Sequence, residues 1–145
     1  QSALLRPFYG TASGSSPTYA LWGELMSTAA RNRGAAGAVV NGYSRDTPGI
    51  LKLGFPTFSM GRYAQDQRVR GKVVDFRCTI GFGQVGVRPG DIIVGALDGG
   101  VVIPQEIERE TLEAAWHKAH GEKQVFRAIQ GGMGAQEAWD TFGIM

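Results

Sequence analysis

Glycine constrains this chain more than any other feature: 22 of its 145 residues lack a side chain, and they recur along the whole sequence. Glycine lets a backbone turn sharply and approach its neighbours closely, and it weakens helix interiors. Short strands joined by tight turns are therefore expected in preference to a helix bundle. With 43% hydrophobic and 19% charged residues, the make-up is that of a folded globular chain. Its length suits one domain with a core that needs no disulfide or metal staple.

Composition also narrows the function classes. The net charge is +2, and no stretch gathers basic residues with interleaved aromatics, so a nucleic-acid surface is not indicated. No apolar run approaches the roughly 20 residues of a membrane-spanning helix, and no signal-peptide pattern is present. Cys78 is the single cysteine, which excludes an internal disulfide and fits a reducing, cytoplasmic setting.

Along the chain, residues 1–20 are rich in Ser, Thr, Gly and Pro around Ser13-Gly14-Ser15-Ser16-Pro17 and read as loop. Leu21, Leu25, Met26, Ala29 and Ala30 recur at helical spacing between Ala20 and Arg33, and Gly34 supplies a stop. Ala38-Val39-Val40 reads as a buried strand, Thr47-Pro48 as an N-cap and first turn of a short helix to Leu53, and Pro56 to Met60 as a strand. Residues 61–71 are a polar loop. Strands are expected over Val73–Ile80, Val85–Val87, Asp91–Val94 and Val101–Ile103, then a long helix from Gln105 to about Gln130 and a short one from Ala135 to Phe142. The class is α/β.

Three polar residues can meet. Glu24 opens the first helix, and Arg45 and Asp46 follow the returning strand. Ten helical residues span about 15 Å, and a strand covers that distance at about 3.3 Å per residue. A chain that turns at Gly34 and runs back thus brings Arg45 and Asp46 near the helix N-terminus, where the amides at about Glu24, Leu25 and Met26 lack partners. Two carboxylates, a guanidinium and a helix end suit Mg²⁺ and an oxygen-rich substrate such as a 2-oxo acid. Each feature has an ordinary reading too: dipole compensation for Glu24 and a solvated ion pair for Arg45-Asp46.

Here the chain resembles a known family. An acidic residue, twenty intervening positions and Arg-Asp, met as Glu24, residues 25–44 and Arg45-Asp46, is the signature of the RraA-like proteins, which include regulators of ribonuclease E activity and 4-hydroxy-4-methyl-2-oxoglutarate aldolases. Trp22-Gly23-Glu24-Leu25-Met26, Gly37-Ala38-Val39-Val40-Asn41-Gly42, Leu53-Gly54-Phe55-Pro56, Arg88-Pro89-Gly90-Asp91 and Asp98-Gly99-Gly100-Val101-Val102-Ile103-Pro104 match in order and spacing. The resemblance covers about Leu21 to Met145. It implies a barrel-like β/α sandwich akin to the swivelling phosphohistidine domain, assembled as a homotrimer or hexamer. It also implies a Mg²⁺- or Mn²⁺-dependent lyase cleaving a 2-oxo acid, by retro-aldol reaction or by decarboxylation as of oxaloacetate. In that scheme Asp46 binds the metal, Arg45 the substrate, Glu24 serves acid–base chemistry, and the amides of Leu25 and Met26 receive a carboxylate. The chain departs from the aldolases in having Glu24 where they commonly have Asp. The family also carries a segment before the first helix that residues 1–20 do not resemble, so residues 1–145 are expected to be the C-terminal part of a longer polypeptide. The alternative functions are a hydro-lyase on a sugar-derived acid and a non-catalytic, ribonuclease-inhibiting binding protein.

Other residues have plainer roles. His117 and His120 lie three apart but lack a third ligand, Gly81-Phe82-Gly83-Gln84-Val85-Gly86 reads as turn and bulge, and Asp91 and Asp98 order turns. Cys78 reads as an inert core thiol, and Met60, Trp116, Phe126 and Trp139 as core or subunit contacts.

Overall fold

The computed structural model describes residues 7–12 and 16–144, and they divide into two compact units after Val102. The first unit is built on a parallel sheet of β1 (Phe8–Ala12), β2 (Ala20–Trp22), β3 (Gly37–Ser44) and β4 (Thr57–Arg62). Strand β3 is its centre. Residues Phe8–Ala12 run beside Gly37–Asn41, and Ala20 and Trp22 beside Tyr43 and Ser44. Strand β4 follows β3 from Ala38 to Ser44. A strand has two hydrogen-bonding edges, so β1 and β2 succeed one another along the edge that β4 leaves open.

Helix α1 (Glu24–Asn32) links β2 to β3, and α2 (Thr47–Leu53) links β3 to β4. Between helices and sheet lies the core of Leu21, Trp22, Ala30, Ala35, Ala38, Val40, Ile50 and Phe55. Both helices stop at glycine in the left-handed region, Gly34 (φ 87°) and Gly54 (φ 63°). Two hairpins complete this unit. Strand β5 (Ile80–Phe82) pairs antiparallel with β6 (Val85–Val87), turning at Gly83, and β7 (Ile92–Ala96) pairs with β8 (Gly99–Ile103). The second unit holds a 3₁₀ turn at Gln105–Ile107, α3 (Glu108–Gln130) and α4 (Ala135–Phe142).

Some expectations need correction. Residues 1–20 are not all loop, because Phe8–Ala12 forms β1; Ser13-Gly14-Ser15 lies outside the described residues. Ala20–Trp22 is strand, so the first helix begins only at Glu24. Of the apolar residues that recur at helical spacing there, Ala30 is buried but the larger ones on the helix are not. Leu25 is 80% exposed and Met26 is exposed as well, whereas small Ser27 and Ala30 are buried. Only small side chains let the helix approach the sheet beside the bulky Trp22. Residues 73–79 form no strand; Val73, Val74 and Phe76 are exposed, and pairing starts at Ile80. Finally, the cap of α2 is Asp46, not Thr47.

Candidate active site

Parallel pairing decides what can meet. Strands β2, β3 and β4 end at Trp22, Ser44 and Arg62, and Ser44 is in register with both of the others. The segments that follow them leave the same end of the sheet, where open α/β sheets place their ligand sites. Those segments carry Glu24, then Arg45 and Asp46, then Asp66.

Each side chain has a local cause. The backbone N–H of Arg45 donates to Trp22 O at 2.9 Å, which ties the exit of β3 to that of β2. Asp46 then takes the left-handed conformation (φ 56°, ψ 35°), which an aspartate tolerates better than most residues, though at some cost. This kink lets the Asp46 carbonyl accept from Gly49 and Ile50 and start α2, while its side chain turns back to α1. Asp46 Oδ2 lies 3.4 Å from the Glu24 amide nitrogen, which donates to it. Gly23 makes that approach possible: a Cβ there would lie 2.7 Å from Asp46 Oδ2 and 3.3 Å from the Arg45 guanidinium carbon.

Arg45 joins the acids. Its Nη1 donates to Asp46 Oδ2 at 2.6 Å, and its Nη2 pairs with Asp66 Oδ2 at 2.9 Å. Nε is buried and makes no hydrogen bond among the described residues. The arginine side chain remains 31% exposed, so its outer edge reaches solvent. Beside it, the first-turn amides of Leu25 and Met26 have no intrahelical acceptor, and the cap residue Gly23 offers no side chain.

The carboxylate of Glu24 lies over the first turn of α2. A Cβ on Gly49 would fall 2.2 Å from it, so that position has room only for hydrogen. Gly49 is helical and not in the left-handed region, so alanine suits its backbone and displaces the flexible Glu24 carboxylate instead. Gly49→Ala is therefore expected to leave the melting temperature unchanged or slightly raised. In the lyase reading proposed below, turnover should fall about tenfold through misplacement of the acid. Parallel thermal melts and steady-state rates check this, and equal loss of both would mean Gly49 matters only for folding.

The expected meeting of Glu24, Arg45 and Asp46 is thus present, and Leu25 and Met26 lie at the same helix end. Asp66 is the member that sequence reasoning missed, since it sits in the polar loop at 61–71. Once β3 and β4 are known to be parallel, an acid shortly after β4 must emerge beside Arg45. Within α3, His120 Nδ1 lies 2.8 Å from Trp116 O, and its ring lies against that of Trp116 at a tilt of 36°. Asp91 orders its turn by accepting from the Arg88 amide at 2.8 Å.

The cluster offers a metal ion oxygen ligands. Among the described residues, no three His, Cys, Asp or Glu side chains gather into a cage. Asp46, half-open to solvent, is the donor the cluster presents, and Mg²⁺ characteristically uses one or two carboxylates and keeps its waters. The donor set fits such an ion. A recess of about 1160 Å³ in the first unit lies against α2, β4 and the two hairpins and is lined by Ser44, Thr47, Ile50, Phe58 and Ile93 among others. It touches neither Glu24 nor Arg45 nor Asp46, and its apolar wall suits packing better than an anionic substrate.

This constellation lies inside the stretch that matches a family model. Residues 11–103 fit the model described as RraA-like, Aldolase/RraA. The chain belongs to the RraA-like family. A Halalkalibacterium halodurans protein with the provisional name 4-hydroxy-4-methyl-2-oxoglutarate aldolase is 34% identical over 122 residues, 84% of this chain and 58% of that protein. An uncharacterized protein of Methanocaldococcus jannaschii is 33% identical over 110 residues, 76% of this chain and 52% of that protein. This RraA-like chain thus spans between half and three-fifths of these relatives. Among solved structures, an uncharacterized Pseudomonas syringae protein superposes with a TM-score of 0.90 at 25% identity, over 93% of this chain and 63% of that one. A Streptomyces coelicolor member of the RraA family of RNase ES inhibitors superposes at 0.74 with 24% identity, over 85% and 62% of the two chains. That likeness bears on the fold, which is α/β of the RraA type. No helix among the described residues is long and apolar enough to cross a membrane.

Proposed function

We propose that this RraA-like chain carries the site of a Mg²⁺- or Mn²⁺-dependent carbon–carbon lyase acting on a 2-oxo acid. The supporting observation is the convergence of Glu24, Asp46 and the doubly paired Arg45 beside the unpartnered amides of α1.

In this reading Asp46 holds the ion, which supplies Lewis-acid polarisation of the 2-oxo group when bound. The Leu25 and Met26 amides, at the positive end of α1, receive the substrate carboxylate. Arg45 donates to the 2-oxo oxygen, where negative charge grows as the bond between C3 and C4 breaks. For a 4-hydroxy-2-oxo acid, the hydroxyl proton leaves toward the acid–base site governed by Glu24. The C4 oxygen then forms a carbonyl, and the electron pair of the broken bond passes into the enolate of the pyruvate portion. Return of a proton to C3 completes the cycle. For oxaloacetate the same bond breaks and CO₂ leaves.

A screen of 2-oxo acids for pyruvate release, with Mg²⁺, with Mn²⁺ and with excess EDTA, tests this. Release with either ion and its loss in EDTA are expected. Full activity in EDTA overturns the metal's role. Absence of release from every acid overturns the lyase in favour of the hydro-lyase or the inhibitor-type binding protein. Helix α3 exposes Trp116 and Phe126 and buries only Val125, which supports assigning its apolar residues to contacts in a trimer or hexamer.

A further inference from the structure

Arg45 is held by two carboxylates that differ in how firmly they are themselves held. Asp46 sits on a left-handed backbone and, in the lyase reading on which this inference rests, must also serve a cation. A carboxylate that turns toward a cation loosens its hold on a guanidinium. Arg45 Nε makes no hydrogen bond among the described residues, so only the two outer nitrogens fix the plane of the group. Freed on one side, such a side chain would regain much of its rotamer freedom.

Asp66 is anchored independently of this exchange. Ala20 pairs with Asp66 as an isolated parallel bridge, and the Ala20 amide donates to Gln65 O at 2.8 Å. The Asp66 Oδ1 accepts the Arg68 amide at 2.5 Å. The amides of Arg70 and Gly71 close the turn on Gln67 O at 2.8 and 2.9 Å. One Asp66 oxygen is therefore occupied by its own loop, and the other meets Arg45 Nη2 at 2.9 Å. We propose that Asp66 is a positioning residue: it keeps the Arg45 guanidinium aimed at the substrate oxygen while Asp46 turns to the cation.

The test follows the Arg45 side chain directly. In protein labelled with ¹⁵N-arginine, restrained rotation of a doubly paired guanidinium gives separate, slowly exchanging Nη signals, assigned by their absence in Arg45→Ala. Wild-type protein should keep the Nη2 signal when Mg²⁺ is added. Asp66→Asn keeps an acceptor for the Arg68 amide and loses the charge, so the Arg45 signals should average, and more completely with Mg²⁺. Asp66→Glu should restore part of the separation. In the same variants kcat should fall about tenfold for Asp66→Asn and less for Asp66→Glu, with KM changed by less than about threefold. Unchanged Arg45 signals in a folded Asp66→Asn protein would overturn the proposal, whatever the activity. Averaged signals in a protein that releases pyruvate from no 2-oxo acid would uphold the anchoring by Asp66 and remove the lyase reading instead.

Discussion

In the proposed lyase, lysine in place of Arg45 is expected to lower kcat about 100-fold, the scale of losing a preorganised donor to a developing oxyanion. The charge is conserved, so the loss isolates geometry. Arg45 reaches Asp46 with one outer nitrogen and Asp66 with the other, at 2.6 and 2.9 Å. A lysine ammonium is a single point and cannot span both acids while presenting a donor to substrate. The pairs are half-exposed, so stability should change by about 1 kcal/mol or less, a few degrees in melting temperature. Circular dichroism melts and steady-state kinetics on the preferred 2-oxo acid measure the two effects separately. Near-normal turnover in Arg45→Lys would place the site elsewhere in the chain.

The approximate meeting of Glu24 with Arg45-Asp46 could be read in one dimension, because a strand that returns beside its helix carries the chain back toward the helix start once Gly34 turns it. The travel does not cancel, about 14 Å for α1 against about 26 Å for β3, and the close approach comes from the parallel pairing of Trp22 with Ser44. Asp66 could not be read this way. Its place depends on the register of β4 against β3, and two-sided pairing is a tertiary choice that local pattern does not encode. Strand β1 was hidden for a related reason. Phe8, Tyr9, Gly10, Thr11 and Ala12 show no apolar alternation, and what makes them a strand is the open first half of the β3 edge. The exposure of Leu25 and Met26 is instructive as well. Periodicity assumes that large apolar residues mark the buried face, whereas α1 is buried through Ser27 and Ala30, and the exposed pair lies at the helix end proposed to meet substrate. The helices α3 and α4 were legible because glycine-poor segments of helix-forming residues carry their own signal.

Alanine in place of Trp22 is expected to destabilise the first unit more than any change at the charged cluster. Trp22 is 2% exposed and belongs to the core shared by α1, α2 and β3. Its indole Nε1–H donates to Ser27 Oγ at 2.8 Å, and Ser27 Oγ–H donates in turn to Gly23 O at 3.0 Å. Truncation removes a large packed ring and strands a buried hydroxyl lone pair, which together cost about 3–5 kcal/mol. Against a total stability of about 5–15 kcal/mol, that leaves little margin. Trp22→Phe keeps most of the volume and loses the N–H bond, so it should cost about 1–2 kcal/mol. Urea titration of both variants, read as a change in midpoint at constant slope, gives the comparison. The site should feel the loss as well, because the Trp22 carbonyl accepts the Arg45 amide and the next residue is the glycine under Asp46. Turnover of the folded fraction should therefore fall further in Trp22→Ala than in Trp22→Phe. A Trp22→Ala protein less than about 1 kcal/mol below wild type would mean that this ring is not the centre of the core, and that the exits of β2 and β3 are held together by other contacts.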